Sequence, residues 1–160
     1  MALSVNHLAG EAAELGVYQG GGAAIISSAL PGKVLHLFDT FTGIPEDDAI
    51  DGGHLKGDFN TSLDDVQRFL AGYNVVFHQG FFPDSAAGLY PEIKYSFVHL
   101  DADTYQSTKA GLEYFLPKMV AGGCVVLDDY DWGQCPGVKK AIEEMGIAVT
   151  AACNQAWFFV

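Results

Sequence analysis

Short apolar runs alternate with helix-like stretches along most of the chain. Residues 12–15 are apolar apart from Glu14 and lead into the cluster Gly20-Gly21-Gly22. Residues 23–30 then read as a helix, stopped by Pro31-Gly32. A second strand is predicted over 34–38, ending at Asp39, a third over 74–78, a fourth over 95–100 and a fifth over 123–127. Between the second and third, Ser62 and Asp65 have capping-box spacing. Leu63, Val66, Phe69 and Leu70 mark the buried stripe of the helix that follows, which Gly72 closes. Residues 104–116 have helical periodicity, with Leu112, Phe115 and Leu116 on one face and Pro117 beyond. Pro136 suits the first turn of a helix running to Met145 and ending at Gly146. Residues 147–153 and 156–160 bracket Asn154-Gln155 as a hairpin. Residues 43–60 are polar, long and aperiodic, which predicts a functional loop.

Five strands alternating with helices require crossover connections, and so a mostly parallel, doubly wound α/β sheet. The closing hairpin brings the expected total to seven strands with an antiparallel end. No repeat, linker or low-complexity tract divides the chain, so one domain over residues 1–160 is expected. Open sheets of this kind bind ligands beyond the carboxyl ends of their strands, so the residues there are the candidates for chemistry.

The first strand runs into Glu14-Leu15-Gly16-Val17-Tyr18-Gln19-Gly20. Its glycine spacing misses the dinucleotide fingerprint but fits a looser acidic-x-Gly-x-x-x-Gly turn. A purely structural turn would have the same spacing. Asp39 ends the second strand, where a carboxylate can accept the hydroxyl protons of an adenosine ribose or can cap a turn. Together with Glu14, Gly16, Tyr18 and Gly20, it favours nucleoside binding. Gly80, Phe81 and Phe82 follow the third strand and offer an apolar slot for a purine, with at least one of the two rings expected in the core. Asp101 ends the fourth strand and Asp128-Asp129 the fifth. If those strands are neighbours, three carboxylates converge, and at least one pKa must rise. A hard divalent cation such as Mg²⁺ relieves that repulsion; capping of turn amides is the plainer role for the same pair. Phosphoacceptor receiver domains carry a similar cluster, but after the first strand.

Charge narrows the partners. Twenty acidic residues against eight basic ones give a formal net charge of −12, which disfavours nucleic acid. No apolar run approaches membrane-spanning length. Residues 1–10 show no secretion signal, which favours the cytoplasm. Cys124, Cys135 and Cys153 are widely and unequally spaced, neither a CxxC pair nor a zinc-like set, and nothing asks for a disulfide. Cys124 reads as a buried small hydrophobe.

Several segments, in order, resemble the macrocin O-methyltransferase family. They are Phe38-Asp39-Thr40-Phe41-Thr42-Gly43-Ile44-Pro45, Gly57-Asp58-Phe59 before Ser62-Leu63, Leu100-Asp101-Ala102-Asp103-Thr104-Tyr105-Gln106-Ser107-Thr108, and Gly122-Gly123 through Asp128-Asp129-Tyr130. The resemblance implies a class I methyltransferase fold and S-adenosylmethionine as methyl donor, held by the first, second and third strand ends, with Thr40 beside Asp39. It implies Mg²⁺ on Asp101, Asp128 and Asp129, and a small-molecule hydroxyl as acceptor. Catechol and caffeoyl-CoA O-methyltransferases use a similar acidic set to grip two neighbouring oxygens, so a sugar or natural-product vicinal diol is expected. Asp101 is the expected metal ligand and proton acceptor. His54 is a second candidate base, since imidazole titrates near neutrality. His99 reads as a hydrogen-bonded interior residue; His7, His36 and His78 carry no argument. Family members usually have helices before the first strand, where only residues 1–10 stand here, so the expectation is a domain without that extension. Its aromatic-rich edge makes a homodimer plausible. Two rival readings remain: an NAD-linked reductase, which leaves Asp128-Asp129 without a task, and a non-catalytic S-adenosylmethionine-binding module.

Overall fold

A computed structural model describes residues 1–44, 50, 54–89 and 92–160. The elements run β1 (Glu11–Leu15), α1 (Gly21–Ala29), β2 (Leu35–Asp39), α2 (Leu63–Phe69), β3 (Val75–Gln79), β4 (Tyr95–Leu100), α3 (Tyr105–Phe115), β5 (Met119–Leu127), α4 (Pro136–Glu144), β6 (Thr150–Ala152) and β7 (Gln155–Phe159). The seven strands are ordered β3-β2-β1-β4-β5-β7-β6. The first five pair in parallel, and β7 runs antiparallel to both β5 and β6. The strand order reverses between β1 and β4, which places the switch point above those two strands.

Central strands are buried on both faces, so they read as near-continuous apolar runs rather than alternating ones, interrupted by Glu14, His36, Ser96 and His99. On one face Ala12, Leu35, Leu37, Phe97 and Val126 pack against Ile26 and Leu30 of the α1 segment and Val66 and Leu70 of the α2 segment. On the other, Leu15, Phe38, Val98, Leu100, Val125 and Leu127 pack against Leu112 and Phe115 of α3 and Val138 and Ile142 of α4. Phe115 stacks on Phe82 and meets Phe38 and Tyr95 edge-on. Cys124 is fully buried in the first of these cores, as expected.

The differences from the sequence reading are local. Ser62 heads α2, but its side chain makes no capping bond; its carbonyl accepts from Asp65 and Val66 instead. Phe69 is 56% exposed, because α2 is only two turns long and the Val66–Leu70 pair, four residues apart, defines its inner face. β5 begins at Met119, four residues before the expected start at Gly123. The hairpin turns at Cys153-Asn154, one residue earlier than expected. Both have positive φ (54° and 65°), the two-residue geometry that matches strand twist. None of the three cysteines is in a disulfide. Among the described residues no helix is long and apolar enough to cross a membrane.

Candidate active site

Pairing in register brings the ends of β2, β1, β4 and β5 to one rim, and the ladder continues past the strands. Gly16 N donates to Phe38 O (3.0 Å), Asp101 N to Leu15 O (2.8 Å) and Asp128 N to Leu100 O (2.9 Å). Gly16 has φ +87°, and a Cβ there would lie 1.8 Å from the Asp101 carbonyl oxygen. Only glycine allows the β1–α1 turn to close this tightly on the β4 end.

Above the rim lies a cavity of about 420 Å³, within the usual range of small-molecule pockets. Gly16, Tyr18, Asp39, Thr40, His54, Gly80, Phe81, Asp101 and Asp129 all line it, so most of the residues expected from the sequence meet there. Asp39 Oδ2 accepts from Val17 N (2.7 Å) and Tyr18 N (2.9 Å), and Oδ1 accepts from Phe41 N (2.8 Å). It therefore pins the glycine turn to β2 while facing the pocket. Thr40 Oγ1 donates to Gly43 O (2.8 Å). Phe81 is about half exposed at the mouth, whereas Phe82 is buried in the core. His54 sits against Phe59, with Nε2 3.3 Å from Cys135 Sγ; Pro45 and Asp51-Gly52-Gly53 of the same loop lie outside the described residues.

Two of the expected cofactor residues lie behind the pocket. Glu14 is buried under the start of α1, where Gly22 leaves room for its carboxylate, and its Oε1 pairs with His99 Nδ1 at 3.0 Å. Burial raises the Glu14 pKa, against the hydrogen bond and charge of His99. His99 is thus the interior, hydrogen-bonded residue expected. Gly20 caps α1 and packs on Val66 and Leu70.

The acidic set differs from the expected Asp101, Asp128 and Asp129. Among the described residues, Asp101, Asp103 and Asp129 bring carboxylate oxygens within 4.8 Å of one another, and Asp128 instead groups with His99 and Asp101. Consecutive residues at a strand end face opposite sides of the sheet. Asp128 therefore turns with Val126 toward the α1 side, where it lines a separate cavity, and Asp129 turns into the pocket. Asp103 and Asp129 both hold left-handed φ (60° and 56°), backbone strain of a kind that gathers at functional sites. Burial first, then the neighbouring carboxylates, lifts Asp101 to about 7 despite the opposing pull of His99. Burial, the hydrogen bond to Asp129 and the other carboxylates lift Asp103 to about 8. The expected rise in pKa is present, and Asp103 shares it. Sequence reasoning passed over Asp103; its i, i+2 spacing from Asp101 at a strand end is the signal that could have found it. Cys135 and Trp132 carried no such signal.

A family model described as macrocin-O-methyltransferase (TylF) matches residues 2–148. The chain belongs to the macrocin-O-methyltransferase family. Demethyldecarbamoylnovobiocin O-methyltransferase of Streptomyces niveus is 28% identical over 157 residues, covering 87% of this chain and 59% of that protein. A tetracenomycin-C 4'-O-methyltransferase of Streptomyces olivaceus, named for its 8-demethyl-8-(2,3-dimethoxy-alpha-L-rhamnosyl) compound, is 28% identical over 144 residues, 79% and 55% of the two chains. The chain thus spans less than two thirds of the length of these curated relatives. The structure of the O-methyltransferase NovP superposes with a TM-score of 0.82 at 25% identity, covering 99% of this chain and 74% of that one. The calicheamicin methyltransferase CalS11 superposes with a TM-score of 0.84 at 22% identity, over 99% and 76%, which shows the shared fold. A macrocin-O-methyltransferase family member with this sheet is an α/β protein of the class I methyltransferase type.

Proposed function

We propose that the chain carries out metal-assisted transfer of a methyl group from S-adenosylmethionine to a hydroxyl of a small molecule, a sugar or natural-product vicinal diol. The observation that carries this reading is that the glycine turn with Asp39 and the acidic trio Asp101, Asp103 and Asp129 line one pocket. The names of the family relatives, both O-methyltransferases acting on natural products, support the acceptor class.

The residues present fit the donor. The turn at Gly16 has no room for a side chain on its β4 side, Asp39 and Thr40 face the pocket, and Phe81 offers an apolar wall. Gly16, Tyr18, Asp39, Thr40, Gly80 and Phe81 would hold S-adenosylmethionine, which supplies an electrophilic methyl group. The residues also fit Mg²⁺: three close, partly buried carboxylates are hard oxygen donors whose mutual repulsion a cation would remove. Asp101, Asp103 and Asp129 would hold it, and a bound cation makes a hydroxyl more acidic. Asp101 takes the hydroxyl proton at its carboxylate, and His54 faces the acceptor from the opposite loop. The pocket walls would hold the acceptor oriented toward the donor.

Calorimetric titration of S-adenosylmethionine with and without Mg²⁺, with NADH as the comparison, tests this. Donor binding and a separate Mg²⁺ signal lost in Asp129→Ala are expected. Binding of NADH in place of the donor would sink the assignment. Donor binding with no methylation across a broad diol panel would favour a binding module instead.

A further inference from the structure

Next to the acidic trio, three side chains of mixed chemistry meet. His54, Asp103 and Cys135 place one ligand atom each within 4.8 Å of one another. His54 Nε2 stands 3.3 Å from Cys135 Sγ, and Cys135 Sγ stands 3.6 Å from Asp129 Oδ2. In a tetrahedral zinc site, Zn–S of about 2.3 Å and Zn–N or Zn–O of about 2.1 Å put neighbouring donors roughly 3.6 Å apart. The His54–Cys135 separation is close to such an edge, and Asp103 places its oxygen within 4.8 Å of both donors, a spacing that a shared cation can draw together.

The donor types select the ion. An imidazole, a thiol and a carboxylate suit a borderline-soft divalent metal, whereas Mg²⁺ has no use for sulfur. Cys135 is fully buried and is the N-cap residue of the nine-residue α4, which fixes its sulfur against His54 and Asp129. His54 and Asp103 line the cavity wall. Three protein ligands with the fourth position open to a cavity is the arrangement of exchangeable rather than purely structural zinc sites.

We propose that His54, Asp103 and Cys135 form a binding site for a borderline-soft divalent cation of the zinc class, beside the hard-cation site and sharing Asp103 with it. On binding, a sulfur–metal bond forms, the Cys135 thiol proton leaves to solvent, and the ion keeps an open position toward the acceptor space. Occupancy of this site would occupy the His54 side of the pocket, so trace zinc would compete with the acceptor. The competition with the acceptor rests on the methyl-transfer reading, but the metal site is read by Co²⁺ without methyl donor or acceptor, so its failure leaves that reading intact.

The test is Co²⁺ titration of the whole chain in excess Mg²⁺, followed by absorption. The expected result is one Co²⁺ per chain with a thiolate-to-cobalt band in the near ultraviolet, bleached by Zn²⁺. The band should vanish in Cys135→Ser, persist in Cys153→Ser and Asp128→Asn, and require at least ten-fold more Co²⁺ in His54→Ala. Circular dichroism of Cys135→Ser checks that α4 still forms, and His54→Ala, a loop change, decides the matter if it does not. Absence of the band from the native protein, its survival in Cys135→Ser, or unchanged affinity in His54→Ala would overturn the proposal.

Discussion

Replacing Gly16 by alanine puts the closure of the β1–α1 turn on the β4 end to a direct test. The residue sits at φ +87°, and the new Cβ would fall 1.8 Å from a backbone oxygen, that of Asp101. An L-residue in the left-handed region costs about 1–2 kcal/mol. The contact is with backbone rather than with a movable side chain, so the turn must retreat from the β4 end until a 1.8 Å approach opens to at least 3.0 Å. That weakens the bonds Gly16 N to Phe38 O and Asp101 N to Leu15 O, at about 1 kcal/mol each. The total is roughly 3–4 kcal/mol, or a melting temperature lower by about 10 °C for a chain of this size. Urea denaturation and thermal melting read it. Gly21→Ala is the control: a Cβ there meets nothing within 4 Å, and alanine in a first helical turn should be neutral or slightly stabilising. If Gly16→Ala unfolds within about 0.5 kcal/mol of wild type, or tracks Gly21→Ala, glycine is not what lets the turn close.

Other changes probe the rest of the site and the core. Asp103 has its pKa raised from 3.8 to about 8, so the folded state holds a proton that the unfolded chain has lost. Without metal, its stabilising effect is therefore full below about pH 4 and is lost as pH rises through about 8. Melting temperature should fall from about pH 5 to 8 more steeply in wild type than in Asp103→Asn and run parallel above that, and Mg²⁺ should flatten the difference; parallel curves from about pH 5 to 8 would refute this. Asp39→Ala leaves the amides of Val17, Tyr18 and Phe41 without their acceptor. A loss of roughly 2–3 kcal/mol is expected, since these amides regain some water, and the donor should no longer register by calorimetry; a variant keeping both properties would show that Asp39 organises nothing. Phe115→Ala removes a buried ring from the cluster with Phe38, Phe82 and Tyr95. It should cost about 3–5 kcal/mol by urea denaturation, and a loss below 1 kcal/mol would mean the core refills the space.

Much of the architecture was legible in the chain because its signals are local. Buried parallel strands are short apolar runs, helices end at Pro31-Gly32 and Gly146, and strand ends carry Gly16, Asp39, Asp101 and the Asp128-Asp129 pair. Glu14, Asp39 and His99 each sit at the strand position expected. The tertiary structure decided what depends on two elements meeting. It grouped Asp128 with His99 and Asp101 on the α1 side and brought Asp129 to Asp103 in the pocket, because the chain leaves β5 at Leu127 and Asp129 takes a left-handed φ. It took Glu14 out of the pocket by pairing it with His99, 85 residues away. It exposed Phe69, since the inner face of a two-turn helix is chosen by what lies beneath it. It also brought His54 within 3.3 Å of Cys135, 81 residues away in the chain. Spacing along a chain reports distance only within one element; between elements, separation is set by sheet order and packing, which no local run of residues encodes.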